Sequence, residues 1–214
     1  ESFMKNILNI FFSIFILVSL PACSNANEEE KKSVKSEEKV ILSSEDRALI
    51  SEYNNISTYL INGDEQKFRE ELNLFLPRAH QIKNENERNN IIMNIYMQTK
   101  KYNEAYDFNQ LLMKNNPENL SRNTFQCQLL EIMDKEKLVI NSCYEKLAQK
   151  IKKTLEQMDK SDPLYLENNF TYYAMSYKSG HQQYKKEMEN LINLTSDEDQ
   201  KSKFKSYFEI IVSD

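Results

Sequence analysis

NIYMQTKKYNEAYDFNQLLMKNNPEN, residues 94–119, is the stretch whose reading decides the fold. Ile95 and Tyr96 finish the apolar face of one helix, and Lys100-Lys101 forms a turn. Tyr102, Ala105, Phe108, Leu111 and Leu112 then recur at three- and four-residue spacing on a second helix, which ends at Asn115-Asn116-Pro117. A hairpin of two such helices cannot bury both apolar faces alone, so it needs similar neighbours stacked on it.

The flanking sequence supplies them. On the N-terminal side, Ser43 to Asp46 offers N-cap residues for a helix bearing Leu49, Tyr53, Ile56 and Leu60. Asn62-Gly63-Asp64 breaks it, and Phe68, Leu72, Phe75 and Leu76 face a second helix that Pro77 is expected to close. Ile91 and Ile92 begin the face that Ile95 and Tyr96 complete. On the C-terminal side, Asn116-Pro117 is expected to cap and open a helix lined by Phe125, Leu129, Ile132 and Met133. A turn near Lys135 leads to a long helix with Tyr144, Leu147, Ala148, Ile151, Leu155 and Met158 in register. Asp162-Pro163 repeats the cap-plus-proline signal before Leu166, Phe170, Tyr173, Ala174 and Tyr177. Ser179-Gly180 separates these from Tyr184, Met188 and Leu191, and Thr195-x-x-Glu198 reads as a capping box for a last helix with Phe204, Tyr207, Phe208 and Ile211. Gly63, Lys100, Lys135 and Gly180 fall inside the hairpins, whereas Pro77, Pro117 and Pro163 fall between them.

Within residues 94–119 four positions resemble the tetratricopeptide repeat (TPR). Tyr96 takes the aromatic position of the first helix, Tyr102 the aromatic after the turn, and Ala105 the small position where the helices touch. Pro117 opens the next repeat. Lys100, Asn109 and Leu112 depart from the pattern. The resemblance implies an all-α, α-solenoid-like stack of about four antiparallel hairpins over residues 43–214, closed by a C-terminal capping helix. The alternative is a closed helical bundle containing one TPR-like hairpin.

The composition agrees with helices: two Gly and four Pro in 214 residues, with a net charge of −5 built from interspersed Lys and Glu. No basic concentration marks a nucleic-acid surface. Residues 1–22 read as a signal peptide with Met4 as its start: Lys5, an apolar run of about fourteen residues, then Leu20-Pro21-Ala22-Cys23. That run would span about 21 Å as a helix, short of a bilayer core of about 30 Å. The tetrapeptide resembles a bacterial lipobox, which implies palmitate-type acylation of Cys23. Ser24 after the cysteine implies outer-membrane sorting, facing the periplasm. The plainer alternative is a signal peptide with an incidental cysteine. Residues 23–42 then comprise the lipidated cysteine and a charged tether too poor in apolar residues to fold.

Chemistry-bearing constellations are sparse. Cys127 and Cys143 lie eight residues either side of Lys135, opposite each other in an antiparallel hairpin, where an oxidising compartment favours a disulfide; two buried thiols are the alternative. His80 and His181 lack neighbours at metal-ligand spacing, and no nucleophile elbow, zinc-helix motif, phosphate loop or dinucleotide fingerprint occurs. The expectation is a protein without catalysis, cofactor or metal. Lys146, Lys150, Lys152 and Lys153 suit an acidic partner or lipid head groups, or form only the wet face of their helix. Tyr165 and Tyr172 are candidate partner contacts, since tyrosine offers contact area and a polar tip at low entropic cost; Tyr173 and Tyr177 read as core. The functional expectation is a lipid-anchored, protein-binding scaffold or adaptor of the envelope, its partner a component of envelope machinery. The alternative is an immunity lipoprotein that neutralises a secreted antibacterial effector, such as a type VI secretion phospholipase or a wall hydrolase. An envelope enzyme is the third class.

Overall fold

The computed structural model describes residues 42–213. Cys23 with its lipobox, and the tether through residue 41, lie outside the described residues. Nine helices are present among those described, and no strand: α1 Ser44–Ile61, α2 Glu65–Ala79, α3 Glu85–Gln98, α4 Tyr102–Asn115, α5 Leu120–Ile132, α6 Lys137–Gln157, α7 Tyr165–Lys178, α8 Tyr184–Leu194 and α9 Glu198–Ser213. None of them is long and apolar enough to cross a membrane. The described residues form two compact units, 42–109 and 110–213, and the division falls within α4.

One turn geometry recurs four times. Gly63, Lys100, Asp134 and Gly180 all have positive φ, at intervals of 37, 34 and 46 residues. Each follows the first helix of a pair, and the same two backbone bonds form around each. The residue after the turn donates to a carbonyl five residues back: Asp64 N to Tyr59 O, Lys101 N to Tyr96 O, Lys135 N to Leu130 O, and His181 N to Ser176 O, at 2.8–3.2 Å. The positive-φ residue itself donates three back, to Leu60, Met97, Glu131 and Tyr177. This is the Schellman closure of a helix C-terminus, which satisfies carbonyls that the helix leaves without partners. The third turn pivots on Asp134 rather than Lys135. The second helices of the pairs end differently, with His80 in the right-handed region and Met158 and Thr195 extended.

Several helix ends differ from the sequence reading. Pro77 lies inside α2, not at its end, because Ala79 and Ile82, both fully buried, carry the Phe68–Leu72–Phe75 stripe onward. Their burial offsets the backbone bond that the proline removes. Pro117 sits in a turn closed by Asn119 N to Asn116 O, and Asn119 caps α5 by accepting from Arg122 N at 3.0 Å. Thr195 is buried and donates its hydroxyl to Leu191 O; the residue accepting from the first turn of α9 is Asp197, from Gln200 N at 2.7 Å. Leu60, Leu111 and Leu166, read as apolar-face residues, are exposed.

In residues 42–109 the core is aliphatic and phenylalanine-rich: Phe68, Leu72 and Phe75 of α2 meet Ile91, Ile92 and Ile95 of α3 and Ile56 of α1. Ala105 of α4 is fully buried, and Tyr96 meets Phe108 edge-on with ring centroids 6.0 Å apart. Asp46, 2% exposed, accepts from Lys83 N at 2.8 Å and Asn84 N at 3.0 Å, tying α1 to the start of α3. Those two amides, the Lys83 bond foremost, hold its carboxyl below the usual aspartate range. Tyr53, its pKa pushed up to about 12 by burial, donates to Asn94 Oδ1 at 2.8 Å.

In residues 110–213, Tyr144, Leu147 and Ile151 of α6 form the centre of the core, against Phe170 and Ala174 of α7 and Met188 of α8. Phe204 of α9 stacks on Phe170 with centroids 4.6 Å apart and planes 1° from parallel. Cys127 of α5 and Cys143 of α6 are joined by a disulfide, their Cα atoms 5.6 Å apart. The Tyr144 hydroxyl donates to Glu131 Oε2 at 2.7 Å, while Lys178 pairs with Glu131 Oε1 at 3.0 Å and lies over the Tyr144 ring. That network links α5, α6 and α7.

Candidate functional site: a tyrosine-lined cleft across α6, α7 and α8

A cleft of about 240 Å³ opens where α6, α7 and α8 meet. Helical spacing supplies one wall, because Glu145, Gln149 and Lys152 lie at i, i+4 and i+7 on α6. Tyr172 and Ser176 of α7 make a second wall at i and i+4. The third comes from the α7–α8 turn, through His181, Gln183 and Tyr184. Gly180 makes that wall: its φ of +105° turns the chain so that His181, 36 residues from Glu145, meets it at 2.9 Å from Nε2 to Oε2.

Glu145 is held from three sides. Gln149 Nε2 donates to Oε1 at 3.0 Å, and Ser179 Oγ and His181 Nε2 lie 3.1 and 2.9 Å from Oε2. The Gln149 bond first, then the His181 and Ser179 bonds, keep its carboxyl below the usual glutamate range. Across the cleft the Tyr172 and Tyr184 hydroxyls share a hydrogen bond of 2.8 Å, and Tyr173 lies 5.6 and 5.7 Å from their ring centres. Hydrogen bonding to Tyr172 raises the Tyr184 pKa; burial adds to this and the Lys152 charge works against it.

The residues singled out from sequence divide cleanly. Tyr172 and Lys152 line the cleft. Lys150 turns away, donating to Pro117 O at 2.7 Å and lying 3.6 Å from Glu118, so it fastens the α4–α5 turn. Lys146 and Lys153 are exposed elsewhere on α6. Tyr165 is half-buried at the start of α7, its amide closing the turn from Asp162. Tyr173 and Tyr177 pack against the core. Tyr96 and Ala105 pack in the first unit, with Tyr102 half-buried. His80 caps the end of α2. Among the described residues no cluster of three His, Cys, Asp or Glu side chains is arranged to hold a metal.

Glu145, Gln149 and Gln183 are cleft residues that sequence reasoning did not name, and it weighed His181 only as a metal ligand. The i, i+4, i+7 stripe on α6 was there to find; the pairing of His181 with Glu145 has no local signal. A second, more open groove of about 500 Å³ lies between α1 and α2. Its charged groups are largely engaged with one another, Arg78 with Glu52 and Lys67 with Glu71. In the α6–α8 cleft, Lys152 is exposed and makes no ion pair among the described residues.

No family model matches the chain. No curated protein or solved structure matches it either.

Proposed function

We propose that the chain is a non-catalytic, lipid-anchored protein-binding scaffold of the bacterial envelope, facing the periplasm. Its body is a TPR-like series of helical hairpins, and its anchor is the acylated Cys23. The observation that carries this reading is the fourfold recurrence of one turn, at Gly63, Lys100, Asp134 and Gly180, between the two helices of each pair. Repetition of that kind suits stacked hairpins, whose inter-helix surfaces serve as docking faces. The cleft across α6, α7 and α8 is the docking face, since it groups tyrosines with polar side chains at a helix junction.

The test pairs fractionation with cross-linking in cells. Wild type is expected in the membrane fraction and Cys23→Ser outside it; a membrane-bound Cys23→Ser protein overturns the anchor. A photoreactive residue at Gln183 is expected to give one discrete protein adduct, whereas the same residue at exposed Lys205 gives none. Adducts at neither position overturn the docking face. If the adduct proves to be a phospholipase or a wall hydrolase, inhibition of an effector replaces adaptor assembly as the role.

A further inference from the structure

We infer that the α6–α8 cleft takes a side-chain carboxylate from an acidic segment of the partner, held by Lys152 Nζ and the Tyr172–Tyr184 hydroxyl pair. This rests on the docking reading above and adds the chemistry of what docks.

Hydrogen-bond accounting leads to it. The one carboxylate in the cleft, Glu145, already accepts from Gln149 and is met by Ser179 and His181. Two hydroxyls sharing one hydrogen bond leave one O–H proton for another acceptor, and either tyrosine can be the inner donor. The Lys152 ammonium carries three donors and has no carboxylate partner among the described residues. Lys152, on the α6 wall, lines the same cleft as Tyr172 and Tyr184 on the walls facing it. Lys152 and the tyrosine pair therefore offer donors that no carboxylate of the cleft takes up, and a compact anion with several lone pairs fits them. At about 240 Å³ the cleft has room for one Asp or Glu side chain with its peptide unit. A lysine ammonium acts as a compact point charge with three donors, enough to hold one oxygen of a carboxylate while a tyrosine hydroxyl meets the other. The bond from Gln149, and the approach of Ser179 and His181, engage both Glu145 carboxylate oxygens.

The same cleft distinguishes carboxylate from amide, and that is the experiment. The full chain carrying Cys23→Ser, labelled with ¹⁵N, is titrated with a blocked hexaglutamate peptide and with its hexaglutamine counterpart. Saturable shifts are expected at the Lys152, Tyr172 and Tyr184 amides with the glutamate peptide alone. Lys152→Ala should weaken that binding roughly fivefold, as loss of an exposed ion pair implies. Tyr172→Phe should weaken it less, and Lys153→Ala, which removes the same charge outside the cleft, should leave it unchanged. Equal weakening by Lys152→Ala and Lys153→Ala, or equal binding of the glutamine peptide, overturns the inference. So does binding to vesicles of anionic phospholipid that depends on Lys152 while the peptide does not bind. A Gln183 adduct in cells without glutamate-peptide binding removes the carboxylate chemistry and leaves the docking face standing.

Discussion

The two units solve the same packing problem with different chemistry. In residues 42–109, an aliphatic core is tied by polar links between helices: Asp46 to the Lys83 and Asn84 amides, Tyr53 to Asn94, and Glu52 to Arg78. In residues 110–213, a disulfide, a stacked phenylalanine pair and a partly buried tyrosine–glutamate–lysine network take that part. Both sets include carboxylates that answer to protons, but only the second answers to reductant, through its disulfide. Reductant should therefore loosen the second unit and leave the ties of the first in place.

The sharpest way to break that contrast is Phe204→Ala. Phe204 is 1% exposed and stacked on Phe170, so its truncation should cost about 3–5 kcal/mol. Hydrogen exchange should show lost protection in α7, α8 and α9, with α2 and α3 retained; a uniform loss would mean the units unfold together. Next comes the disulfide. Cys127→Ser with Cys143→Ser should lower stability by about 3 kcal/mol, and reductant should then have no further effect on denaturant midpoints.

Smaller effects test the shared turn. Gly180→Ala should cost about 1–3 kcal/mol, because its φ of +105° disfavours any Cβ and the added carbon would meet Asn141 Nδ2 at 3.2 Å. At Lys100, φ +59°, the reverse substitution should help: Lys100→Gly should gain about 1 kcal/mol, read as a higher denaturant midpoint. Asp134→Gly should gain less, since aspartate tolerates the left-handed region better than lysine. Titration of Asp46 has no effect near neutrality. Its folded pKa lies below the unfolded value, so its stabilisation is complete above the ordinary aspartate range and is lost as pH falls through the depressed value. Amide protection at Lys83 and Asn84 should fall in that acid window, and Asp46→Asn should abolish the dependence.

Much of the fold is legible along the chain, because helices leave a periodic record. Apolar spacing locates all nine described helices, and Gly63 and Gly180 announce two of the four left-handed turns. Lys100 and Asp134 adopt the same conformation although their residue types disfavour it, so neither advertises it. Caps are less legible: Asp197 and Thr195 both suit the start of α9, and only burial of the threonine decides between them. The cleft is legible in part. Tyr172 and Lys152 could be named from residue type and helix face. His181 and Glu145 come together only because three helices and a glycine turn bring distant positions to one place.

The chain contains twelve tyrosines and no tryptophan, so its near-ultraviolet emission is tyrosine emission alone. Three of those rings, Tyr172, Tyr173 and Tyr184, lie within 5.7 Å of one another around the cleft, two with their hydroxyls bonded together. Excitation energy passes readily between phenol rings so close, and a hydroxyl that exchanges its bonding partner changes its quantum yield. The protein thus carries an optical probe at the proposed docking face, and occupation of the cleft can be sought by light without attaching a label.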